Sequence, residues 1–408
     1  MSRKRIVVLG SGVASFREYA LRSVATRADV VLVSKTAASW ETPYCVEHIV
    51  ADLDDADSVF GALEGVPADA VLTYDERYVE LTARLVATYG VPGPTAAAVR
   101  AVKDKSVLRG LLAEAGVGPV RYAVAMTEQE ASDAVADIGL PVVFKPRALG
   151  GSAGVRMVSD QAEVAGAFAD AVGARVGQLA SRYDGVLIEE YLDGPEISID
   201  CVTHGGVTTA LVVAEKETGL EPYFEEIGHV VPPTTPIPQE AVDLVVAAHA
   251  VAGLDDLVSH TEVRLTSRGP RIIELNARLG GDLIPYLGLL AHGVDLAGAA
   301  ADIALGTAPD VSGGAQRAAA VRFCYPETDL RVDRVRLARP VAELPGLELF
   351  EPVAGGGVEL LLPPRGYLSR LAVLVVTGDT AQDCLARAAE YAAEVAVDGT
   401  ELASDVHV

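Results

Sequence analysis

Between Leu257 and Gly281 the chain reads LVSHTEVRL, then TSRGP, then RIIELNARLGG. Two runs rich in β-branched residues around a short Gly/Pro-containing turn are the pattern of a β-hairpin. A five-residue turn places Leu265 opposite Arg271, Glu262 opposite Glu274 and His260 opposite Asn276. Side chains alternate faces along a strand, so these last four share one face. Carboxylates facing each other across strands repel and weaken the sheet. A divalent cation between them removes that cost. Two carboxylates and an amide form an oxygen-rich set that suits Mg²⁺, which usually also takes substrate phosphates. A solvated surface hairpin is the plain alternative, but Arg278 and Gly280-Gly281 are unusual endings for an inert strand.

At 408 residues the chain is too long for one ordinary core, and two or three domains are expected. Acidic residues outnumber basic ones 57 to 33, for a formal charge of -24. Such a surface repels phosphate backbones, which argues against nucleic acid as a partner. A phosphate pocket here must concentrate its few Lys and Arg locally. Cys45, Cys201, Cys324 and Cys384 are far apart and lack metal-ligand spacing; they fit a reducing, cytoplasmic setting. No apolar run reads as a signal peptide or a bilayer span, so no membrane partner is expected.

Residues 5–100 alternate strand and helix: strand Arg5–Leu9, helix Phe16–Thr26, strands Val30–Val33 and Ala70–Tyr74. This pattern predicts a small α/β unit with a parallel sheet. Its Gly10-x-Gly12 turn lacks the third glycine of a dinucleotide fingerprint, since Ser15 stands there. The second strand ends Ser34-Lys35, without an acid for a ribose, so a plain tight turn is expected. Gly90-Val91-Pro92-Gly93-Pro94 marks a boundary. Beyond it the spacing predicts a helix over 96–115, strand Val142–Pro146, a glycine turn Gly150–Gly154, a helix over 161–174 and strand Val186–Glu190. Strand Glu196–Thr203, helix Pro238–Ala252, the hairpin and a helix over 295–305 follow. Strands near Ala318–Phe323, Val358–Leu362 and Leu371–Val376 and a helix over 380–394 complete the chain.

Lys145 ends a strand just before the Gly150–Gly154 turn. Glycines let backbone N–H groups turn toward a phosphate, and lysine adds a point charge. No Gly-Lys-Ser/Thr opens a helix, so this is not a P-loop, and an ordinary β-turn with a surface lysine is the alternative. Lys103 and Lys105 are expected to open the next helix, against its dipole, which calls for an anion there; solvated surface lysines are the alternative. In LIEEYLDGPEISID, backbone groups of Glu190 and Leu192 can read an adenine edge and Glu196 can accept from a ribose; an amphipathic hairpin with solvated acids is the alternative. Glu226 or His229 can bind or deprotonate an attacking ammonium, or belong to a loop with solvated acids and a structural histidine. His260 either orients Glu262 or Asn276 or only packs beside them. Tyr74-Asp75-Glu76 at a strand end can touch substrate, but a helix cap is the plainer reading.

Taken in order, Lys105, Lys145, the glycine turn, Glu189-Glu190-Tyr191-Leu192, Glu196, Glu262, Glu274, Asn276 and Arg278 resemble the ATP-grasp superfamily over roughly residues 5–400. IIELNARLGGD (Ile272–Asp282) is the most specific stretch. Within the superfamily, PYFEEIGHVVPP (Pro222–Pro233) and SHTEV (Ser259–Val263) look like the L-amino-acid ligases and carnosine-synthase-like carboxylate–amine ligases. The resemblance implies mixed α/β and α+β architecture. Residues 1–95 would form a Rossmann-like pre-ATP-grasp domain. Residues 96–310 would form the ATP-grasp domain, with a lid at about 120–190, and residues 311–408 an α+β module. It implies ATP and Mg²⁺ as cofactors, with Mn²⁺ as an alternative ion. Lys105, Lys145, Gly151, Ser152, Gly154, Glu189, Glu190, Tyr191, Leu192 and Glu196 would hold the nucleotide, and Glu262, Glu274 and Asn276 the metal. Arg278 would steady an acyl phosphate, with Glu226 or His229 beside the amine. Small-molecule acids and amines are then the partners, ADP and phosphate the expected products, and a homodimer the expected assembly. Purine-pathway or carboxylase-type enzymes, and an inactive nucleotide-binding protein, are the competing expectations. A biotinyl Met-Lys-Met site is absent from the sequence.

Overall fold

The computed structural model describes residues 3–177, 179–234 and 237–403. The N-terminal strands Arg5–Leu9, Asp29–Ser34, Cys45–Val50 and Ala70–Leu72 form a four-stranded sheet in which Arg5–Leu9 lies between Asp29–Ser34 and Ala70–Leu72 and every pairing is parallel. Ile6, Val7, Val8 and Leu9 are all fully buried, as expected where a parallel sheet is covered on both faces. The Gly10 and Gly12 backbones take positive φ (+70° and +73°). A Cβ on Gly10 would lie 2.8 Å from the Tyr78 ring. The turn is thus a close-packed strand-to-helix connection, as expected.

The single helix expected over 96–115 is two, Ala96–Lys103 and Lys105–Glu114. Thr95 caps the first by accepting from Ala98 N, and Asp104 ends it and caps the second by accepting from Ser106 N. Lys103 therefore closes a helix, where the dipole favours a cation, and only Lys105 opens one.

Strands Tyr122–Ala125, Val186–Glu190, Val142–Pro146 and Arg156–Val158 make a separate antiparallel sheet in that spatial order. Its core is formed with helices Glu128–Ile138 and Val164–Gly173, through Val135, Ile138, Phe144 and Val164. This small unit is called the lid below.

The largest sheet has eight antiparallel strands, in the order Gly269–Asn276, Leu257–Thr266, Glu196–His204, Val207–Gly219, Glu225–Val231, Ala318–Cys324, Ala372–Gly378, Leu347–Pro352. The sheet runs without a break across residue 310. Ile197, Ile199 and Cys201 join the core beneath helix Gln239–Ala252, while period-2 alternation turns Glu196, Ser198 and Asp200 to the other face. Residues 222–233, read above as a loop if not functional, include the strand Glu225–Val231. Helices Ile284–His292 and Leu296–Ala304 pack in the core shared with the N-terminal unit. Among the described residues no single helix is long and apolar enough to cross a membrane.

The hairpin differs from its expected form in an instructive way. Its strands run to Thr266 and from Gly269, so the turn is Ser267-Arg268 rather than five residues. Arg271 faces Arg264, not Leu265, yet Glu262 still faces Glu274 and His260 faces Asn276. The register shifts by one at Glu262/Val263, leaving Ile273 without a partner. One bulged residue thus compensates for the shorter turn.

Candidate active site

The lid and the large sheet face each other across a cleft lined by Lys105, Lys145, Gly151, Ser152, Glu189, Glu190, Tyr191, Leu192, Glu196, Glu226, Glu262 and Glu274. Lys145 Nζ lies 2.6 Å from Glu189 Oε2, and both are buried. Arg109 also grips Glu189 and donates to Ile272 O at 2.5 Å, tying the lid strand to the hairpin. Burial raises the Glu189 carboxyl, but Arg109 and Lys145 outweigh it and hold it at about 2. Glu189 is therefore a fixed anion that positions Lys145 at the cleft it also lines. Lys105 Nζ donates to Leu149 O at 3.0 Å and lies 3.1 Å from Glu274 Oε1.

The glycine turn is docked. Ser152 (φ +53°) donates from Oγ to Phe224 O at 2.9 Å. A Cβ on Gly151 would come 2.7 Å from Leu368 Cδ1, and one on Gly154 within 2.5 Å of Ala174 Cβ. At the far end of the cleft Tyr191 stacks on Phe224, with centroids 6.4 Å apart. The N–H groups of Glu190 and Tyr191 already bond to Arg121 O and Pro141 O. Of the two backbone groups expected to read a base, Leu192 thus keeps its donor and Glu190 does not. The Glu190 carboxylate meets Arg268 at 2.9 Å. Glu196 is held by Lys216 (2.6 Å) and Arg264, so a ribose hydroxyl would join an existing pair.

Sequence reasoning missed the cation at the centre of this site. Lys216 is buried, with Nζ 2.6 Å from Glu196, 2.8 Å from Glu226 and 3.0 Å from Glu262. Desolvation opposes its charge, but the three carboxylates hold its pKa well above the ordinary lysine value. Lys216 on one side and Lys105 on the other already offset the repulsion between Glu262 and Glu274. The lysines therefore share in removing the cost that a divalent cation was expected to remove. Alternation along Val207–Gly219 gives the face Lys216 takes, but only the pairing that sets it opposite His229 brings it to these carboxylates.

The oxygen donors fit Mg²⁺. The Asn276 amide lies 3.1 Å from Glu274 Oε1 and 3.2 Å from Glu76 Oε2. Its nitrogen can donate to both, and a half-turn about the last side-chain bond would instead present its oxygen to a cation shared with those carboxylates. His260 Nδ1 is 2.6 Å from Asp200 and Nε2 is 3.6 Å from Glu262. Burial lowers the His260 pKa less than Asp200 and Glu262 raise it, to about 9. His260 is thus a cation that orients Glu262.

A second cluster sits beside Lys216. His229 Nε2 is 3.4 Å from Glu226 and 3.7 Å from Asp282, and neither ring nitrogen makes a hydrogen bond among the described residues. Burial opposes its charge, but Asp282 and Glu226 raise its pKa above the ordinary value. Arg370 clamps Asp282 with two bonds of 2.7 Å, lies 3.5 Å over the Phe323 ring and donates to Tyr325 Oη, which donates to Glu225 at 2.9 Å. Asp282 and Arg370 were not singled out in the sequence, although Asp282 ends the IIELNARLGGD stretch.

Arg278 reaches away from the cleft to the N-terminal unit, where Nε donates to Glu76 Oε2 at 2.8 Å; Lys103 Nζ meets Glu76 Oε1 at 2.9 Å. The cap expected at Tyr74-Asp75-Glu76 is Asp75, which accepts from Arg77 N. Glu76 instead joins Arg278 and Asn276. Here a second cavity of about 440 Å³ opens. Lys105, Leu149 and Glu274 line both spaces.

Two antiparallel sheets closing on a cleft of lysines, glycines and opposed carboxylates, with a second cavity at its acidic end, define a nucleotide-dependent enzyme of the ligase type. Residues 138–286 match the family model of the ATP-grasp domain. The chain is 30% identical over 294 residues to phosphoribosylamine–glycine ligase of Streptomyces coelicolor, covering 68% of this chain and 67% of that one. It is 32% identical over 262 residues to human carnosine synthase 1, covering 60% of this chain and 32% of that one. The chain thus spans about a third of the length of carnosine synthase. An L-amino acid ligase from Bacillus licheniformis shares the fold, with TM-score 0.80 over 98% of this chain and 100% of that one at 18% identity. The chain belongs to the ATP-grasp superfamily, in the carboxylate–amine ligase family.

Proposed function

We propose that this chain joins a carboxylic acid to the amine of an amino acid or related metabolite, through an acyl phosphate. The observation that carries this reading is that Lys105 and Glu274 line both the nucleotide cleft and the cavity at Arg278. A terminal phosphate and a substrate carboxylate would meet there. In this reading residues 96–310 are the nucleotide-binding domain with its lid at about 120–190, and residues 1–95 and 311–408 wall the substrate side. Lys105 and Lys145 face the phosphates, Gly151, Ser152 and Gly154 cover them, and Tyr191, Leu192 and Glu196 face the nucleoside. Glu262, Glu274 and Asn276 hold Mg²⁺, which supplies charge neutralisation during phosphoryl transfer.

A carboxylate is a poor electrophile. Its oxygen attacks the terminal phosphorus, ADP leaves, and the carbonyl gains phosphate as a leaving group. The amine nitrogen then attacks the acyl carbon and phosphate departs. Arg278 stabilises the oxyanion of that second step, and the docked glycine turn keeps water from the acyl phosphate. Glu226 and Asp282 seat the ammonium, and Glu226 or His229 takes its proton.

ADP and phosphate release across acid–amine pairs tests the reading. With ¹⁸O in the acid, one label should appear in phosphate; AMP and pyrophosphate as products would overturn it. The purine-type alternative draws on the 30% identity to phosphoribosylamine–glycine ligase. Turnover with glycine and phosphoribosylamine alone would establish it instead. A homodimer is the proposed assembly, tested by sedimentation velocity.

A further inference from the structure

The cavity at Arg278 restricts the acid. It lies between the N-terminal unit and the short lid hairpin Arg175–Val176/Leu179–Ala180. At about 440 Å³ it is far larger than a glycine or alanine needs and falls in the range of about 300–1,000 Å³ of pockets that enclose drug-sized ligands. Leu149, Val176, Leu179 and Leu368 give it an apolar wall.

The carboxylates that line it are paired. Glu76 is held by Arg278 and Lys103, and Glu274 by Lys105. At the rim Arg77 is paired with Asp75, and Arg182 lies 3.8 Å from Glu80. Every carboxylate at this cavity therefore already has a cationic partner. Arg278, by contrast, uses Nε on Glu76 and Nη1 on Leu279 O, and its Nη2 makes no hydrogen bond among the described residues. The cavity thus offers a donor for one carboxylate, and its lining sets Arg77, Lys103, Lys105, Arg182 and Arg278 against Glu76 and Glu274, a balance that favours an anion and disfavours an ammonium. An ammonium bound against the apolar wall would lose its hydration without a partner.

We propose that the activated acid is a carboxylic acid with a large, uncharged, apolar body, such as an aryl-alkyl acid or an N-acylated amino acid, and not a free α-amino acid. This rests on the ligase reading above. The amino acid would then be the amine, seated at the acidic cluster of Glu226, His229 and Asp282.

The test is calorimetric binding to the protein loaded with Mg²⁺ and a non-hydrolysable ATP analogue, so it needs no turnover. The probes are 3-phenylpropionate, N-acetylphenylalanine and phenylalanine. The first two should bind at least about tenfold more tightly than phenylalanine, a difference of about 1.4 kcal/mol. Leu179→Asp should weaken both by a similar factor while the melting temperature and the affinity for the nucleotide analogue stay unchanged. Equal or tighter binding of phenylalanine, no binding of any probe, or indifference to Leu179→Asp would overturn the assignment. If the two acids bind as stated but no amine yields ADP, the ligase reading fails and the acid site stands. If only free amino acids bind and turn over, the ligase reading stands and this one fails.

Discussion

Lys216 Nζ sits 3.0 Å from Glu262 Oε2, inside the acidic face that would receive the metal. The protein thus carries its own cation beside the place where Mg²⁺ would add charge. Lys216→Met should leave Glu196, Glu226 and Glu262 without their shared partner. Breaking a buried pair from one side costs about 3–5 kcal/mol, so the melting temperature should fall in metal-free buffer. Mg²⁺ should then raise it by more than it does in the parent protein. Equal Mg²⁺ increments in the two proteins would show that Lys216 and the metal do not share a site.

Glu274→Gln should remove most ADP release with little loss of fold. The amide stays nearly isosteric but gives up the charge that meets Lys105. Turnover and melting temperature with and without Mg²⁺ check this, and a fully active variant would sink the metal assignment.

Lys145→Ala should do two things at once. The Michaelis constant for ATP should rise, because a charge-assisted contact to phosphate is worth about 1.5–3 kcal/mol. The nucleotide-free protein should also melt lower, because Glu189, buried in the lid, then keeps only Arg109 as an ion-pair partner among the described residues. A change in ATP affinity with an unmoved melting curve would mean that the Glu189 pair is not structural.

Glu225 predicts a pH dependence. Burial raises its carboxyl from 4.5 to about 7, more than the Tyr325 hydroxyl, the Leu368 N–H and Arg370 lower it. The folded pKa lies above the unfolded one, so the stabilising contribution is full below about pH 4.5 and is lost as pH rises to 7. Relative to Glu225→Gln, the unmutated protein should lose about 3 kcal/mol across that window, at about 1.4 kcal/mol per pKa unit. Urea unfolding of both proteins from pH 4.5 to 8 measures it, and a margin that grows with pH would contradict the sign.

Arg278→Lys should keep nucleotide binding yet lose ligation. A lysine cannot hold Glu76 and still present a planar pair of N–H groups to substrate. Retained amide formation at near-parent rates would remove Arg278 from the chemistry.

The elements with strong local signals were legible in the chain. Strands Arg5–Leu9, Val142–Pro146 and Val186–Glu190 lie where their apolar runs put them. The Glu262–Glu274 and His260–Asn276 pairings follow from alternation along a hairpin, although the turn that was to set them is shorter and a bulge makes up the difference. Period and pairing act over a few residues, and a sequence carries that information directly. It does not carry which strand lies beside which in an eight-stranded sheet. That order alone brings Lys216 to Glu196, Glu226 and Glu262. Packing of the N-terminal unit brings Glu76 to Arg278, 202 residues away, and a C-terminal segment supplies Arg370 to Asp282. Alternation tells a side chain which face it takes; only the tertiary structure, by burying charges together, decided which opposite charges each must meet.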